Sequence, residues 1–489
     1  MGIEICSLRS AELGNAAHVV IERDSGVAVV IDPVRDVGQY LEVAVGSSVE
    51  LVWALETHVH NDFVSGSREL VAASSIRLGA SGEADLRYPY EQLGDGDDVE
   101  IGSFSLRVLA TPGHTPEHLA YLLIDSSGEP QALFSGGALM VGTAARTDLF
   151  GPALSWRFAH DLERSLRGRI LELPDHVVVY PTHGGGSFCA VGADSALTTT
   201  IGAERVANPL ATARSSRQFV TRALTAGPYP AYYARMRSLN QAGAPLLGPK
   251  LPAPPALSLG EVDIWLAQGA LVVDVRPAES FRRGHIPKSL AAGADGNVSG
   301  WVGWLVGPER PIVLVAESDG ATQASEAARQ LARIGYDRIV GFLNGGIETW
   351  QAAGRELTHF ESLSAATLAK RLDADELLPV VDVREAAEWH AGHIPGSVNL
   401  PAHDIPGTKT ELPRGMPLAV HCGHDYRATL GASLLERAGY DQLVVLEDGW
   451  EGWVALDHEH QRSDMPFEPH EPYEMSFEPH EPHEPVRGI

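Results

Sequence analysis

The sequence is poor in cysteine, and it lacks both a long apolar run and a secretory leader. Its three cysteines, Cys6, Cys189 and Cys422, are too few and too scattered along 489 residues to form a disulfide framework. No stretch of about 18 apolar residues occurs, so the sequence predicts no membrane span. The first residues, MGIEICSLRS, hold no basic region followed by an apolar one, and a cytoplasmic location is therefore expected.

Positive charge is also scarce. The chain has 37 Lys and Arg residues against 64 Asp and Glu residues, which gives a formal net charge of -27. A surface of this sign repels phosphate backbones and anionic lipid headgroups. Nucleic acid and membrane are therefore not expected as partners.

The chain is long enough for about three domains, and its patterns divide it into five segments. Strands alternate with helices over residues 1–213, and polar residues follow the strands, as is typical of α/β domains. Residues 214–255 hold several Pro and Gly residues and indicate a linker or wrapping segment. Two units with a βαβ pattern follow, a first unit at 256–358 and a second unit at 361–457. The acidic, Pro-rich tail at 458–489 repeats FEPHEP and is expected to be disordered.

The two units form an internal repeat. LVVDVRPAESFRRGHIPKSL in the first unit matches LPVVDVREAAEWHAGHIPGSVNL in the second, and each unit has a later Gly-Tyr-Asp. Aligning the units on Gly-Tyr-Asp places Ser318 opposite Cys422 and Gln323 opposite Arg427. The first unit therefore lacks both a nucleophile and a cation, and we expect its role to be structural or interfacial.

Cys422 stands where a buried strand of the second unit turns into a helix. PLAVHCGHDYRATL predicts a strand, a short loop and a helix that begins near Arg427. The N–H groups and the positive dipole end at a helix N-terminus lower the pKa of a nearby thiol. Cys422 is therefore expected to be a thiolate nucleophile, and Arg427 to bind an anionic donor such as thiosulfate. Attack on sulfane sulfur would leave a persulfide on Cys422 for transfer to an acceptor.

The second unit resembles the rhodanese family over its whole length. The resemblance rests on Asp382-Val383-Arg384, on the turn Gly392-His393-Ile394-Pro395-Gly396, on the loop from Cys422 to Arg427, and on Gly449-Trp450. It implies α/β domains with parallel sheets for both units, and it makes Cys422 the sulfur carrier. It also implies that the rest of the loop binds the donor together with Arg427, namely Gly423, His424, Asp425 and Tyr426.

Asp425 departs from the family's pattern, which usually has Gly at this position. Aspartate tolerates a left-handed backbone less well than glycine does. Its negative charge also opposes a thiolate. Both effects predict reduced activity or an altered acceptor.

Histidines follow several strands of the N-terminal domain. His58, His60 and Asp62 lie in the loop THVHND, His114 follows a later strand, and His183 follows another. Imidazoles and carboxylates at successive strand ends converge on one edge of a sheet, where they can bind a metal. The pattern therefore predicts a metal site.

The N-terminal domain resembles the metallo-β-lactamase superfamily, and within it the persulfide dioxygenase branch fused to rhodanese domains. The segments ETHVHNDFVSGSREL, LATPGHTPEHLAYLL and ARTDLF carry the resemblance, together with the domain order. It implies an αββα sandwich in which two His and one Asp hold iron(II), with His58 and His114 as the two His ligands. Gly137 stands where the family has the Asp, and Phe63 stands where members with two metals have a further His.

Three outcomes stay open for the metal. His58, His60 and His114 hold one ion with water, or Asp62 or His183 replaces the missing carboxylate, or the site is empty because of Gly137. Iron(II) is the implied metal and zinc is the alternative.

We expect a function in sulfane-sulfur metabolism, with a sulfurtransferase acting through Cys422 as the leading hypothesis. The alternatives are an active persulfide dioxygenase fused to its rhodanese, and a non-enzymatic protein that delivers sulfur or acts as a scaffold. The expected partners are thiosulfate, thiol persulfides and sulfite, with a sulfur-acceptor protein as a further option. A homo-oligomer is also expected, because the long linker is able to wrap a partner subunit.

Overall fold

A computed structural model of the protein describes residues 2–190, 193–224, 227–293, 297–408 and 412–456. The tail predicted at 458–489 lies outside the described residues. Within them, no helix is both long enough and apolar enough to cross a membrane.

The N-terminal domain consists of two six-stranded sheets packed face to face. The strands of the first sheet lie in chain order: β1 (Ile3–Ser10), β2 (Asn15–Glu22), β3 (Val27–Ile31), β4 (Glu50–Leu55), β5 (Arg77–Ser81) and β6 (Glu91–Leu93). The second sheet also runs in chain order: β7 (Asp98–Ile101), β8 (Phe104–Ala110), β9 (Leu119–Ile124), β10 (Pro130–Gly136), β11 (Val178–Pro181) and β12 (Thr199–Thr200). Apolar residues of both sheets, such as Trp53 and Phe134, fill the space between them.

Helices cover the outer faces of both sheets. They are α1 (Gly38–Ser47), α2 (Ser67–Ala73), α3 (Pro152–Gly168), a 3-10 turn at Ile170–Glu172, and α4 (Ile201–Ala207). Tyr40 of α1 is buried with the outer residues of the first sheet, and Leu162 and Leu166 of α3 are buried with those of the second. The domain is thus the expected αββα sandwich.

The segment 214–255 wraps the N-terminal domain. It forms α5 (Ser216–Ala223) and α6 (Tyr233–Ala242). Asn240 of α6 donates to the carbonyl oxygens of His60 (2.9 Å) and Phe63 (2.8 Å), and it accepts from the N–H of Ser65 (2.9 Å). This segment therefore supports the His58–His60 loop from behind.

The first unit is a five-stranded parallel sheet with the strand order β13-β17-β16-β14-β15. Its elements are β13 (Ala256–Leu257), α7 (Leu259–Ala267), β14 (Leu271–Asp274), α8 (Ala278–Arg283), β15 (Leu290–Ala291), α9 (Val298–Leu305), β16 (Ile312–Val315), α10 (Ala321–Arg333), β17 (Ile339–Leu343) and α11 (Gly346–Ala352).

The second unit repeats this topology as β18-β22-β21-β19-β20, again parallel throughout. Its elements are β18 (Glu361–Leu363), α12 (Ala365–Asp373), β19 (Val380–Asp382), α13 (Ala386–Ala391), β20 (Val398–Asn399), a 3-10 turn at Ala402–Asp404, β21 (Leu418–His421), α14 (Tyr426–Arg437), β22 (Leu443–Leu446) and α15 (Gly449–Ala455). The predicted helix near Arg427 is α14, which begins one residue earlier.

The repeated Asp-Val-Arg motif forms a buried ion pair in each unit. Arg384 donates to both carboxylate oxygens of Asp382 and to the carbonyl oxygen of Gly392 (2.8 Å). Arg276 makes the same contacts with Asp274 and with Gly284 (2.9 Å). Because the pair joins the end of a sheet strand to the Gly-His-Ile-Pro turn, the motif is structural in both units.

Candidate functional site

Three histidine side chains meet at the edge of the sandwich where strands of both sheets end. His58 follows β4, His114 follows β8 and His183 follows β11. One ring nitrogen from each lies within 4.8 Å of the others, and all three residues are buried. We call these three residues the histidine site.

The hydrogen bonds behind the histidine site fix which nitrogen of His58 is free. The hydroxyl of Thr57 donates its single proton to Asp32 (2.7 Å), so its oxygen accepts from Nδ1 of His58 (2.8 Å). The proton of neutral His58 therefore sits on Nδ1, and Nε2 is bare. Burial is the largest cause that holds the pKa of His58 well below its usual value, which keeps the ring neutral.

His183 and His114 are oriented in the same way. Nδ1 of His183 lies 3.1 Å from the carboxylate of Asp62 and 3.1 Å from the amide oxygen of Asn15, both acceptors. Nδ1 of His114 donates to the carbonyl oxygen of Arg146 (2.7 Å), and burial lowers the pKa of His114 to about 3. Each ring thus presents Nε2 to the centre of the site.

This arrangement fits a metal ion. Nε2 of His58 lies 3.3 Å from Nε2 of His183, and two bare nitrogens at that distance repel each other unless a cation or proton lies between them. Nε2 of His114 is buried without a hydrogen-bond partner. Three imidazoles, each held at Nδ1 by an acceptor, are the arrangement that proteins use to ligate zinc and other divalent metals.

His60 points away from the histidine site. Its Nε2 lies 3.2 Å from Asp32 and 3.2 Å from Glu56. Burial alone would lower the pKa of His60, but the two carboxylates outweigh it and raise the pKa to about 10. The ligand atoms of His58 and His114 lie close to that of His183, whereas those of His60 lie close to Asp62 and His183 or to Asp32 and Glu56. That His58, His60 and His114 hold one ion together stays a prediction.

Asp62 orients the ring of His183. Its Oδ2 accepts from Asn15 (2.7 Å) and lies against His183, while its Oδ1 is buried without a hydrogen-bond partner. Burial raises the pKa of Asp62, but His183 outweighs burial and the net shift is downward. Asp62 could also share a metal with His60 and His183, because their ligand atoms lie equally close together.

The space beside Gly137 is filled. A Cβ atom on Gly137 would lie 2.8 Å from Cβ of Ala145 and 2.9 Å from the ring of His114. A carboxylate at this position therefore has no room unless His114 or Ala145 moves. That Gly137 replaces a ligand of the family stays a prediction.

Two buried groups near the site were not predicted from the sequence. His118 stacks on His58 with ring centroids 5.0 Å apart and accepts from the N–H of Gly137 (3.0 Å). Glu56 accepts from the hydroxyls of Ser65 and Ser67. His118 lies in the segment PGHTPEH, so its closeness to His114 in sequence was the available signal.

A narrow pocket with a cavity volume of about 10 Å³ borders His58 and His60. Its other walls are mainly apolar or aromatic and include Val59, Leu86 and Tyr88. A cavity of this size has room for about one water molecule beside the histidine site.

The remaining candidates of the N-terminal domain lie in structural positions. Arg146 pairs with Asp148 through two hydrogen bonds of 2.6 Å and 2.8 Å. Cys189 is buried with its sulfur 3.7 Å from the hydroxyl of Tyr233, and burial raises its pKa well above the usual value. Cys6 lies in β1 and is partly buried.

Cys422 follows β21 and lies directly before α14. Backbone N–H groups of His424, Arg427 and Ala428 act on its sulfur and lower the pKa of the thiol. The carbonyl oxygens of Cys422 and Gly423 accept from Trp450 (2.7 Å) and Glu451 (3.2 Å) at the start of α15. Residues 422–427, the cysteine loop, are thus held between two helix N-termini.

The expectation of a lowered thiol pKa is wrong for Cys422. Cys422 is only 1% exposed, and this burial is the largest influence on its thiol. Arg427 and the three amides favour the thiolate, but the net pKa of Cys422 is raised above the usual value. The sequence pattern identified the favourable groups correctly, but it could not show the degree of burial.

Arg427 forms an ion pair with a carboxylate of the second unit. It donates to both oxygens of Glu388 on α13, at 2.7 Å and 2.9 Å. Burial raises the pKa of Glu388, but the ion pair with Arg427 outweighs it, and the net shift is downward. An anionic donor must therefore compete with Glu388 for Arg427.

Asp425 does not adopt the left-handed backbone conformation that the sequence analysis considered unfavourable for it. Its φ angle is -124°, which an L-residue adopts without the strain of a left-handed conformation. Its carboxylate is paired with Arg282 of the first unit. Of the other loop residues, His424 is exposed, and Gly423 and Tyr426 are half-buried.

In the corresponding loop of the first unit, Gln323 is hydrogen-bonded to the backbone. The side chain of Gln323 donates to the carbonyl oxygen of Val275 (2.7 Å) and accepts from the N–H of Glu317 (3.0 Å). Ser318 is exposed in that loop. The described residues of this loop thus offer neither a thiol nor a cation for sulfur transfer.

Two family matches cover most of the chain. The metallo-beta-lactamase superfamily matches residues 13–183, and the rhodanese-like domain matches residues 258–353 and 364–456. The persulfide dioxygenase ETHE1 of Homo sapiens is 31% identical over 209 residues, which are 42% of this chain and 73% of the human protein. The chain belongs to the metallo-beta-lactamase superfamily. Two rhodanese-like domains follow its metallo-beta-lactamase domain, so the expected family, fold class and fusion are confirmed.

Other relatives agree with this assignment. The persulfide dioxygenase ETHE1 of Bos taurus is 31% identical over 170 residues, which span 34% of this chain and 62% of the bovine protein. The crystal structure of a metallo-beta-lactamase from Staphylococcus aureus has a TM-score of 0.63 at 29% identity. That match covers 71% of this chain and 100% of the other, so it extends beyond the metallo-beta-lactamase domain.

Proposed function

We propose that the chain is a sulfurtransferase in sulfane-sulfur metabolism, with Cys422 as the sulfur carrier. The observation that carries this proposal is the position of Cys422 between the end of β21 and the start of α14, where three backbone N–H groups favour its thiolate. The same groups would stabilise the terminal anion of a persulfide, which is larger and more diffuse than a thiolate. The membership of the second unit in the rhodanese-like family supports the same chemistry.

The reaction has two displacement steps. In the first, the thiolate of Cys422 attacks the outer sulfur of thiosulfate, a new S–S bond forms as the old one breaks, and sulfite leaves with the electron pair. In the second, an acceptor thiolate attacks the outer sulfur of the Cys422 persulfide, and Cys422 leaves as a thiolate. A thiol persulfide can replace thiosulfate as the donor, with a thiolate as the leaving group.

The chain's own residues provide orientation and charge for these steps. Arg427 would bind the sulfonate group of thiosulfate as Glu388 moves aside, because guanidinium binds oxyanions through two parallel hydrogen bonds. The three amides hold the attacking sulfur at the start of α14. A reducing compartment such as the cytoplasm suits this chemistry, because the carrier must start as a thiol. The proposed acceptors are small thiols or the thiol of an acceptor protein.

The test is thiosulfate-to-thiol sulfur transfer by the full chain and by a Cys422→Ser variant. We expect Cys422→Ser to reduce the rate to that of the uncatalysed reaction. Cys189→Ser is the matched control, because Cys189 is equally buried but far from α14 in sequence, and it should retain the rate. Transfer that survives Cys422→Ser would refute the proposal.

A second function, persulfide dioxygenation by the N-terminal domain, is favoured by the histidine site. The name of the human relative supports it, as does the convergence of three bare Nε2 atoms. When bound there, iron(II) would supply the site for oxygen chemistry, and zinc would supply a Lewis acid instead. His58, His114 and His183 would hold either metal, while Asp62, Asn15 and Thr57 orient the rings. In this scheme the second unit would combine the sulfite produced with sulfur from a persulfide.

Metal content measured by mass spectrometry on the purified chain tests this second function without an activity assay. We expect one ion per chain in the wild type, and loss of that ion in His183→Gln. His60→Gln is the matched control and should keep the ion, because Nε2 of His60 faces Asp32 and Glu56. The reverse pattern would show that His60 is the ligand and that the arrangement above is wrong. Oxygen uptake with a thiol persulfide by the iron-loaded chain then tests the reaction itself.

A further inference from the structure

Arg282 reaches from the first unit to the cysteine loop of the second. It lies in the last turn of α8, and its side chain is only 5% exposed. Its guanidinium donates to the carboxylate of Asp425, to the hydroxyl of Thr429 (2.9 Å) and to the hydroxyl of Ser362 (3.2 Å). All three partners belong to the second unit.

Asp425 is the group in the cysteine loop that most needs a counter-charge. It lies three residues after Cys422 and immediately before α14. A carboxylate at that position weakens the positive field that favours a thiolate at a helix N-terminus. A guanidinium paired with the carboxylate restores that field.

The other charged and titratable groups around the cysteine loop have partners inside the second unit. Asp382 pairs with Arg384, Glu388 with Arg427, and His424 with Glu451, while His421 lies 3.4 Å from Asp382. Among the described residues, Asp425 is thus the charged group of the loop whose ion-pair partner comes from the first unit. The pairing therefore depends on how the two units dock.

The docking of the two units extends along the whole of α14. Glu436, near the end of α14, accepts from the N–H of Lys288 (2.9 Å), and Arg437 donates to the carbonyl oxygen of Lys288 (2.8 Å). Ser433, which lies between Thr429 and Glu436 on α14, accepts from the N–H of Ala291 (3.3 Å). These contacts fix the position of α8, and with it that of Arg282.

We propose that Arg282 is a positioning residue for the cysteine loop, and that the first unit thereby sets the reactivity of Cys422 although it has no nucleophile of its own. Arg282 acts through Asp425, whose charge it balances and whose carboxylate it holds away from the sulfur. The presence of Asp where the family usually has Gly is then matched by a cation from the neighbouring unit. The proposal deepens the proposed function and rests on it.

The test measures alkylation of Cys422 by iodoacetamide as a function of pH, in the full chain, by quantifying the Cys422 peptide. Iodoacetamide is neutral, so the midpoint of its pH profile reports the pKa of the thiol and not donor binding, whereas the burial of Cys422 lowers the rate at every pH. We expect Arg282→Gln to shift the profile to higher pH and to slow alkylation near neutral pH by about threefold to tenfold. The double variant Arg282→Gln with Asp425→Asn should return towards the wild-type profile, because it removes both charges.

Arg283→Gln is the matched control. Arg283 is the next residue of the same helix, is 73% exposed and pairs with Glu279 of α8, so its removal should leave the profile unchanged. Equal profiles for wild type and Arg282→Gln would overturn the proposal, as would a shift that the double variant does not reverse. If Arg282→Gln does not fold, the comparison of Asp425→Asn with wild type decides, since faster alkylation near neutral pH is then expected and an unchanged or slower rate contradicts the proposal.

The alkylation readout separates this inference from the proposed function. If Cys422→Ser does not abolish sulfur transfer, the proposed function fails, but the alkylation profiles still show whether Arg282 controls the thiol. If transfer depends on Cys422 and the profiles do not shift, the positioning role alone fails.

Discussion

At Cys422, burial and hydrogen bonding act on the thiol in opposite directions. The three amides and Arg427 stabilise the thiolate, while burial destabilises it and raises the net pKa. A persulfide is more acidic and more diffuse than a thiol, so the same site suits the loaded carrier better than the free one. In the proposed reaction donor binding depends on Arg427, both of whose terminal nitrogens donate to Glu388.

Glu388→Gln should strengthen the binding of thiosulfate. The amide leaves Arg427 with an uncompensated charge that a sulfonate can neutralise. We expect KM for thiosulfate to fall by about fivefold, which corresponds to about 1 kcal/mol for a partly exposed ion pair. Steady-state transfer kinetics measure this, with Glu385→Gln as the control on the same helix. A higher KM in Glu388→Gln would mean that Glu388 orients Arg427 for the donor rather than competing with it.

At the scale of elements, the histidine site is built from loops that follow β4, β8 and β11. Sequence reasoning could predict this convergence, because polar residues that follow neighbouring strands meet at one sheet edge. It could not predict the direction of each ring. The orientation of His60 depends on Asp32 and Glu56, and the support of its loop depends on Asn240, which lies 180 residues further along the chain.

The end of β10 shows a similar limit. The resemblance predicts that Gly137 occupies a ligand position, and an Asp there would be expected to restore the ligand. The structure instead leaves no room for a Cβ atom beside His114 and Ala145. This packing depends on two separate loops, one between β8 and β9 and the other between β10 and α3, so the sequence of either loop alone does not predict it.

Gly137→Asp should therefore destabilise the chain instead of completing a metal site. We expect a loss of about 1–3 kcal/mol in the free energy of unfolding, as for other overpacked interior positions. Denaturant unfolding measures it, together with iron(II) binding. Gly137→Ala should lose a similar amount because it adds the same Cβ, whereas Gly46→Ala, where nothing lies within 4 Å, should not. Tighter iron(II) binding by Gly137→Asp with unchanged stability would contradict this account.

At the scale of the whole molecule, the first unit joins the N-terminal domain to the second unit. Arg333 of α10 pairs with Asp36 and Glu12 of the N-terminal domain, and its carbonyl oxygen accepts from the N–H of Val64 (2.7 Å). Arg282 makes the contact on the other side. The sequence predicted the order and fold of the domains, because each has its own pattern of strands and motifs. It did not predict their docking, because the partners are separated by up to 321 residues.

Arg333→Ala should weaken the attachment of the N-terminal domain. The Arg333 side chain is 2% exposed, and its removal leaves two largely buried carboxylates without their main cation. We expect a loss of about 3–5 kcal/mol in the free energy of unfolding, which is typical of breaking a buried ion pair from one side. Denaturant unfolding of the full chain measures it. As the control, Arg329→Ala should lower the free energy of unfolding by less than about 1 kcal/mol, because Arg329 is 36% exposed. Equal losses for the two variants would show that the buried ion pairs of Arg333 do not hold the interface together.

The central claim is that Cys422 carries sulfur, and the most direct test is the intact mass of the chain after a single exposure to thiosulfate without an acceptor. The account predicts a wild-type chain that is heavier by one sulfur atom, with the added sulfur on the Cys422 peptide and released by a thiol, and a Cys422→Ser chain with no added sulfur. A wild-type chain of unchanged mass, or added sulfur on Cys6 or Cys189 instead, would contradict the account.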